Sequence, residues 1–270
     1  MNPDSPADTI RHPLKFSVIT VTCNAAPIIG RTIRSVEEQD YPAVEHLIID
    51  GNSADDTLAL VHRYMERNSI ARVKHEVNCL SEPDSGIYDA MNKGLQMCTG
   101  RYVLFLNAGD SLHTPDTLSR LAALVQTEAA QPAVIYGDTD IVDADGTFLR
   151  HRRLAPPADL TSADFRQGML VCHQAFLART DLAKETPYDM RYRFSSDYDW
   201  AIRVMKTAEA RGQRMLYSGA VIADYLSQGA TTRNHRRSLF ERLRIMARHY
   251  GWGIALGEHL WFVLRIFVKK

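Results

Sequence analysis

Three short polar segments in this 270-residue chain follow directly on apolar runs, and their residue types suit sites that hold hydroxyls, phosphates and cations. Thr22-Cys-Asn24 follows Phe16–Val21, Asp50-Gly-Asn-Ser-Ala-Asp-Asp56 follows Val44–Ile49, and Asn107-Ala-Gly-Asp110 follows Arg101–Leu106. Carboxylate oxygens accept from sugar hydroxyls and hold hard divalent cations. Glu82-Pro-Asp-Ser-Gly86 is a rigid turn feeding a helix whose N-terminus favours phosphate, and it orients Asp84 toward the same region. Asp89, Asn92 and Lys93 fall on or near one face of that helix, where Lys93 could pair with phosphate or stand as a solvated charge. Two more acids, Asp197 and Asp199, sit in Ser195-Ser-Asp-Tyr-Asp-Trp200. Cysteines 23, 79, 98 and 172 form no C-x-x-C pair, so zinc-ribbon and redox chemistry are unsupported and all four read as packing residues. No G-x-G-x-x-G follows the first apolar run, which removes a dinucleotide dehydrogenase.

The elements that must position these residues are readable from the hydrophobic pattern. β-branched runs predict buried strands over Phe16–Thr22 and Val44–Ile49, a third strand over Arg72–Val77, and the most apolar strand over Arg101–Leu106. Helical spacing predicts helices over Ala26–Gln39, Thr57–Asn68, Ile87–Met97 and from Pro115 through Leu118, Leu121 and Leu124. Asp55 and Asp56 are placed as caps of the second helix. Strand, polar loop and helix alternate three times, the pattern of an α/β sheet with largely parallel strands. Ligands of such sheets bind beyond the carboxyl ends of the strands, where all three polar loops fall. Farther on, Val134–Asp138 and Thr139–Val142 read as strand material around a turn, Asp145-Gly146 as a hairpin signal, and Arg150–Pro157 as a mobile basic loop. Ser195–Lys206 and Ser238–Tyr250 read as helices, the latter with an apolar stripe of Leu239, Leu243, Met246 and Tyr250.

The composition, 45% hydrophobic and 24% charged, excludes disorder and fibre, and the length suits one large domain with an appendage. No apolar stretch is long enough for a membrane span, and residues 1–13 lack the core of a signal peptide. The expected organisation is a loose tail over 1–14, a main domain over 15–230 and a basic helical segment over 231–270. Net charge is zero, yet Thr231–Lys270 carries nine lysines and arginines against two glutamates. With Trp252, Trp261, Phe262, Ile266 and Phe267, that segment matches one that lies on an anionic membrane surface, packs its apolar face on the main domain, or forms a dimer contact. The expected location is cytoplasmic, peripheral on the inner face of the cytoplasmic membrane.

Four strings in order sharpen this reading. Phe16-Ser-Val-Ile-Thr-Val-Thr-Cys-Asn24, Ile48-Ile-Asp-Gly-Asn-Ser-Ala-Asp-Asp-Thr57, Ser81-Glu-Pro-Asp-Ser-Gly-Ile-Tyr-Asp-Ala-Met-Asn-Lys-Gly94 and Phe105-Leu-Asn-Ala-Gly-Asp110 resemble the family 2 glycosyltransferases. The third and fourth resemble the subgroup of bacterial exopolysaccharide and colanic acid glycosyltransferases, over roughly Lys15–Gly229.

The resemblance implies a GT-A fold, a Rossmann-like, mostly parallel sheet flanked by helices, here with the basic helical tail added. It implies inverting transfer of a sugar from a nucleotide-sugar donor to a lipid-linked or oligosaccharide acceptor, with no nucleic acid as partner; it leaves the oligomeric state open. Thr22, Asn24, Asp50, Asp84 and Lys93 fall on the donor side, Asp50 accepting from ribose or base and Asn107 contacting the sugar. Counting back from Pro115, Asp110 aligns with the aspartate that binds a divalent cation, Mg²⁺ or Mn²⁺. The family's usual Asp-x-Asp-like cluster is reduced here to that one carboxylate. Asp197 matches the base that takes the acceptor's proton, with Asp199 second, and His173-Gln174 matches a motif near the acceptor. A catalytically silent sugar-nucleotide-binding scaffold is the alternative that the thinned loop keeps open.

Overall fold

The computed structural model describes residues 13–227 and 235–258. β1 (Phe16–Thr22), β2 (Val44–Asp50) and β4 (Tyr102–Phe105) are buried along their whole length, as strands covered on both faces must be. β1 pairs in parallel with β2 and β4, and β2 with β3 (Glu76–Ser81). Alternate side chains serve opposite faces: Ile48 packs with Ile29 and Ile33 of α1 (Ala26–Glu37) and Val61 and Tyr64 of α2 (Thr57–Ile70). Ile19 and Ile49 meet α3 (Ile87–Met97), whose Gly94 lies so close that an added Cβ would come 2.6 Å from Ile19 Cγ2. That close approach brings the start of α3, and with it Asp84, to the carboxyl ends of the strands.

Beyond β4 the sheet becomes mixed. β5 (Ser111–Leu112), α4 (Thr117–Gln126), β6 (Val134–Val142), β7 (Phe148–His151), β8 (Phe176–Arg179), α5 (Thr180–Glu185), α6 (Ser196–Ala210) and β9 (Met215–Leu226) complete the body. The strand order is β3-β2-β1-β4-β8-β6-β9-β5, with β7 paired to β6. Trp200 of α6 is fully buried; it stacks on Tyr188 at 4.9 Å and meets Phe105 and Phe176 edge-on. This aromatic cluster anchors α6 against β4 and β8.

Three expectations need correction. The third strand runs over Glu76–Ser81 rather than Arg72–Val77, because its register is set by pairing with β2, ending in Asp50 opposite Ser81. It is an edge strand with alternating exposure, so burial left little pattern to read. Residues 134–142 form one continuous strand, and the supposed loop over 150–157 begins inside β7. There the Arg152 guanidinium donates to the carbonyls of Leu154, Leu170 and Met169, an anchor rather than a mobile end. The hairpin at Asp145-Gly146 forms, with Gly146 at φ +86° and Asp143 accepting from the Asp145 and Thr147 N–H groups.

The basic segment is part of the body where it is described. In α7 (His235–Tyr250), Ile245 and Met246 are buried in the main core, with Leu243 and Tyr250 packed against it. Near the start of the helix the inward position belongs to Ser238, hydrogen-bonded to Ser195, and Leu239 is 40% exposed. A further helical stretch covers 252–258. Residues 1–12 and the aromatic cluster of Trp261, Phe262, Ile266 and Phe267 lie outside the described residues.

Candidate active site

The Asn107–Asp110 turn leaves β4 and is pinned from α1. Thr32 Oγ1 donates to the Asp110 carbonyl at 2.6 Å and accepts from the Gly109 N–H at 2.9 Å. Gly109 adopts φ +100°, a conformation that favours glycine, and a Cβ there would meet Leu226 at 2.7 Å. The turn thereby drives the Asp110 side chain into the body, where it is 5% exposed. Its Oδ2 accepts from Gln174 Nε2 at 2.6 Å and its Oδ1 from the Leu226 N–H at 3.0 Å. Burial pushes this carboxyl above the usual carboxylate range; Gln174, the Leu226 N–H, His173 and Arg31 pull it back only in part.

Asp197 stands in the first turn of α6, where a negative charge is favoured. Its Oδ1 accepts from the Tyr88 hydroxyl at 3.1 Å, and its Oδ2 lies 3.4 Å from His173 Nδ1. Asn107 Nδ2 lies 3.1 Å from His173 Nε2. An amide that donates there leaves the ring proton on Nδ1, facing Asp197. Burial raises the Asp197 carboxyl, but the neighbouring His173 and the charge of Arg242 outweigh it and hold it below the usual range. The buried Asp110 and the half-buried Asp197 are thus pushed in opposite directions, Asp110 toward protonation and Asp197 toward the proton-accepting form. Burial, followed by the Asp197 charge, keeps the Tyr88 hydroxyl well above its ordinary range.

Two amide oxygens of this group, Asn107 Oδ1 and Gln174 Oε1, are buried without a hydrogen-bond partner. Orphaned acceptors of this kind cost free energy unless a ligand completes them. Together with the Asp110 carboxylate they are hard oxygen donors, the chemistry that suits Mg²⁺ or Mn²⁺ or the hydroxyls of a sugar.

The remaining expected residues form a second group beside the first. The Gly51 N–H donates to the Thr22 carbonyl, the Asn24 N–H to Ser53 Oγ, and Asn24 Oδ1 accepts from the Ala54 N–H. Thr22 Oγ1 is buried and unpartnered. Asp50 is fully buried, and it accepts from the Ser53 N–H, Ser53 Oγ and Ser81 Oγ. It thus holds this loop in shape from below. Asp84 is half-buried against Gly51 and accepts from the Gly86 N–H. Lys93 is engaged by Glu82 at 2.8 Å and by the Pro83 carbonyl. Asp55 bridges the N–H groups that open both α1 and α2, whereas Asp56 makes no side-chain cap.

Asp199 lies two residues on and is fully buried, held by Arg203 Nε at 2.6 Å and His249 Nε2 at 2.7 Å. It serves the docking of α7. Glu241 of α7 accepts from the N–H groups of Arg193 and Phe194, fixing the loop that leads to Asp197. Tyr88, Glu241, Arg242 and His249 had no sequence signal as site residues; Glu241 and His249 lie about fifty residues from the groups they touch, Arg242 acts on Asp197 by its charge from a similar separation, and only the fold brings them there.

The family model for glycosyl transferase family 2 matches residues 17–186. The chain belongs to glycosyl transferase family 2. It is 33% identical over 189 residues to the PGL/p-HBAD biosynthesis glycosyltransferase of Mycobacterium tuberculosis, covering 70% of this chain and 68% of that one. It is 31% identical over 199 residues to the amylovoran biosynthesis glycosyltransferase AmsB of Erwinia amylovora, covering 72% of this chain and 64% of that one. Among solved structures, Staphylococcus aureus TarS in complex with UDP-GlcNAc superposes at TM-score 0.68 with 18% identity, over 92% of this chain and 73% of that chain. The mannosyltransferase PcManGT of Pyrobaculum calidifontis, in complex with GDP-Man and Mn²⁺, superposes at TM-score 0.60 with 19% identity, over 94% and 77%. The fold of this family 2 glycosyltransferase is the GT-A fold of those structures, and its homologues work in polysaccharide and glycolipid biosynthesis.

Proposed function

We propose that this glycosyltransferase carries out an inverting transfer from a nucleoside-diphosphate sugar to a hydroxyl of a lipid-linked or oligosaccharide acceptor. The observation that carries the reading is the unbroken chain Asn107–His173–Asp197–Tyr88, which ties the turn after β4 to an ionised carboxylate. In the proposed step the acceptor hydroxyl gives its proton to Asp197 as its oxygen attacks the anomeric carbon. The bond from that carbon to the diphosphate oxygen breaks, and the nucleoside diphosphate leaves with the electron pair. His173 orients Asp197, and Thr22, Asn24, Asp50 and Asp84 line or shape the nucleotide side. Asp110, with Asn107 and Gln174, would hold a divalent cation, which supplies charge stabilisation to the leaving diphosphate. A nucleotide-sugar donor is supported by the UDP-GlcNAc and GDP-Man held by the solved structures of similar fold. The silent-scaffold alternative is not favoured, because the acid expected as base is retained in ionised form beside its orienting imidazole.

The described tail supports a peripheral membrane location. Phe240 and Trp252 are 64% and 61% exposed, Leu239 and Leu256 are exposed near them in sequence, and Arg237 and Arg244 are exposed on the same helix. This pairing of apolar and basic groups suits an anionic lipid surface. No helix among the described residues is long and apolar enough to cross a membrane.

The test is a panel of UDP-, GDP- and dTDP-sugars with Mg²⁺ or Mn²⁺, reading nucleoside diphosphate released when bacterial glycolipid extract is added. Acceptor-dependent release, with an inverted anomeric configuration in the product by NMR, is the expected result. Tight donor binding with no release for any acceptor fraction would favour the scaffold, and a retained configuration would remove Asp197 as the base.

A further inference from the structure

A second constellation lies where β5, β6 and β9 meet, on the face of the sheet opposite the Asp110 side chain. Side chains alternate across a strand, so neighbours in sequence serve opposite faces. Asp110 and Tyr225 belong to the α6 side, since the Asp110 and Asp197 charges act on the Tyr225 hydroxyl. Ser111, His113 and Asp224 therefore fall on the α1 side, where Arg31 Nη2 donates to Ser111 Oγ at 2.9 Å. Asp224 is paired across β9 with Ser111 of β5 and with Asp140 of β6. One ligand atom each from His113, Asp140 and Asp224 lies within 4.8 Å of the others. His113 Nδ1 is 2.8 Å from Asp224 Oδ1, and His151 Nδ1 of β7 is 2.7 Å from Asp140 Oδ1.

We infer that His113, Asp140 and Asp224 form a binding site for a divalent transition-metal ion of the Zn²⁺ class, separate from the site at Asp110. A tetrahedral ion with bonds of about 2.0–2.2 Å spans ligand atoms about 3.4 Å apart, so the observed cluster needs only small side-chain adjustment. An imidazole in the ligand set suits zinc and the other late transition metals better than calcium or magnesium. The ligands come from backbone already fixed: the His113 N–H donates to the Ile222 carbonyl at 3.0 Å, and Asp140 and Asp224 sit in paired registers. Asp140 is 5% exposed, and His151 is placed as the outer imidazole that orients it. Arg31 stands 3.9 Å from Asp224 Oδ2 and partly offsets the two carboxylates, so it competes with a bound ion. An ion there would brace the β5–β9 ladder, whose Leu226 N–H holds Asp110 from behind.

The experiment is Zn²⁺ titration by calorimetry of chelator-stripped, full-length Asp110→Asn protein, with bound metal counted by mass spectrometry. The Asp110 change weakens the cation site on the other face, so about one Zn²⁺ per chain is expected to remain. His113→Gln and Asp224→Asn in that background should each weaken binding about tenfold or more, and Arg31→Gln should tighten it several-fold. A pair of plain histidine–aspartate ion pairs would bind no zinc and show no tightening on loss of Arg31. Absence of binding, or binding unchanged in the His113 variant, overturns the inference. Should Asp224→Asn fail to fold, His113→Gln carries the test, because that ring is 36% exposed and at the surface.

Discussion

Asp197 and Asp199 are two residues apart on one helix, and the structure assigns them opposite consequences on substitution. Asp197→Asn keeps the shape and an oxygen to accept from Tyr88 at 3.1 Å, but it cannot take a proton. The contact it weakens is the long one to His173, 3.4 Å, so the cost to stability is expected to be no more than about 1 kcal/mol. Loss of a general base costs about 10²–10⁴ in turnover, which is about 2.7–5.4 kcal/mol of barrier. Donor affinity should hardly move, since no nucleotide-side group touches Asp197. Asp199→Asn is the mirror image. It removes the charge from a fully buried carboxylate bonded to Arg203 and His249 and leaves the Arg203 guanidinium without its buried counter-charge, a change worth about 3–5 kcal/mol of folding stability. For a chain of this size each kcal/mol lowers Tm by about 2–4 °C. The assay is paired: turnover and donor Kd on one side, thermal melts on the other. If Asp197→Asn loses less than tenfold in turnover, or loses donor affinity as steeply as rate, the base assignment fails. Equal melts for the two variants would refute the reading of Asp199 as the α7 anchor.

Other outcomes follow from the same geometry. Asp110→Asn should abolish transfer and the metal-dependent part of donor binding. Because burial raises the Asp110 carboxyl, its charge costs stability above its folded pKa and nothing below the unfolded one. The variant should therefore melt higher than wild type at neutral pH, with the gain shrinking as pH falls through the carboxyl's range; a gain that grows on acidification contradicts the sign. Glu241→Gln weakens two charge-assisted bonds to the Arg193 and Phe194 N–H groups and should cost about 1–3 kcal/mol in denaturant unfolding, with a slower turnover reflecting a looser Asp197 loop. Phe240→Ser combined with Arg237→Gln and Arg244→Gln alters only exposed side chains. It should reduce sedimentation with anionic vesicles and the salt sensitivity of that binding, without lowering Tm; unchanged sedimentation would remove this face as the membrane contact.

The sequence by itself determined the buried strands and the order of the loops. Runs such as Phe16–Thr22 and Tyr102–Phe105 are apolar on both sides, and only a two-faced, helix-covered sheet buries them. The polar strings that follow had to stand at the carboxyl ends of those strands, which put Asn107 and Asp110 there, whereas Asp197 on α6 was singled out only by the family resemblance. What it left undecided are the contacts between distant segments. Asp50 offered itself as a donor ligand, yet Ser53 and Ser81 claim its carboxylate, and Ser81 reaches it only through the register of an edge strand with little burial pattern. Lys93 read as a phosphate partner and is engaged by Glu82. The stripe along α7 was visible, but not that Glu241 and His249 would bind the loop and helix bearing Asp197, nor that Leu239 would remain exposed. Nor could spacing place His113 beside Asp140 and Asp224: three strands far apart in the chain meet there only because β9 inserts between β6 and β5. Periodicity is a local property that one segment can express; which carboxylate is proton acceptor, cation ligand or helix anchor depends on burial and partners that exist only once the chain is closed.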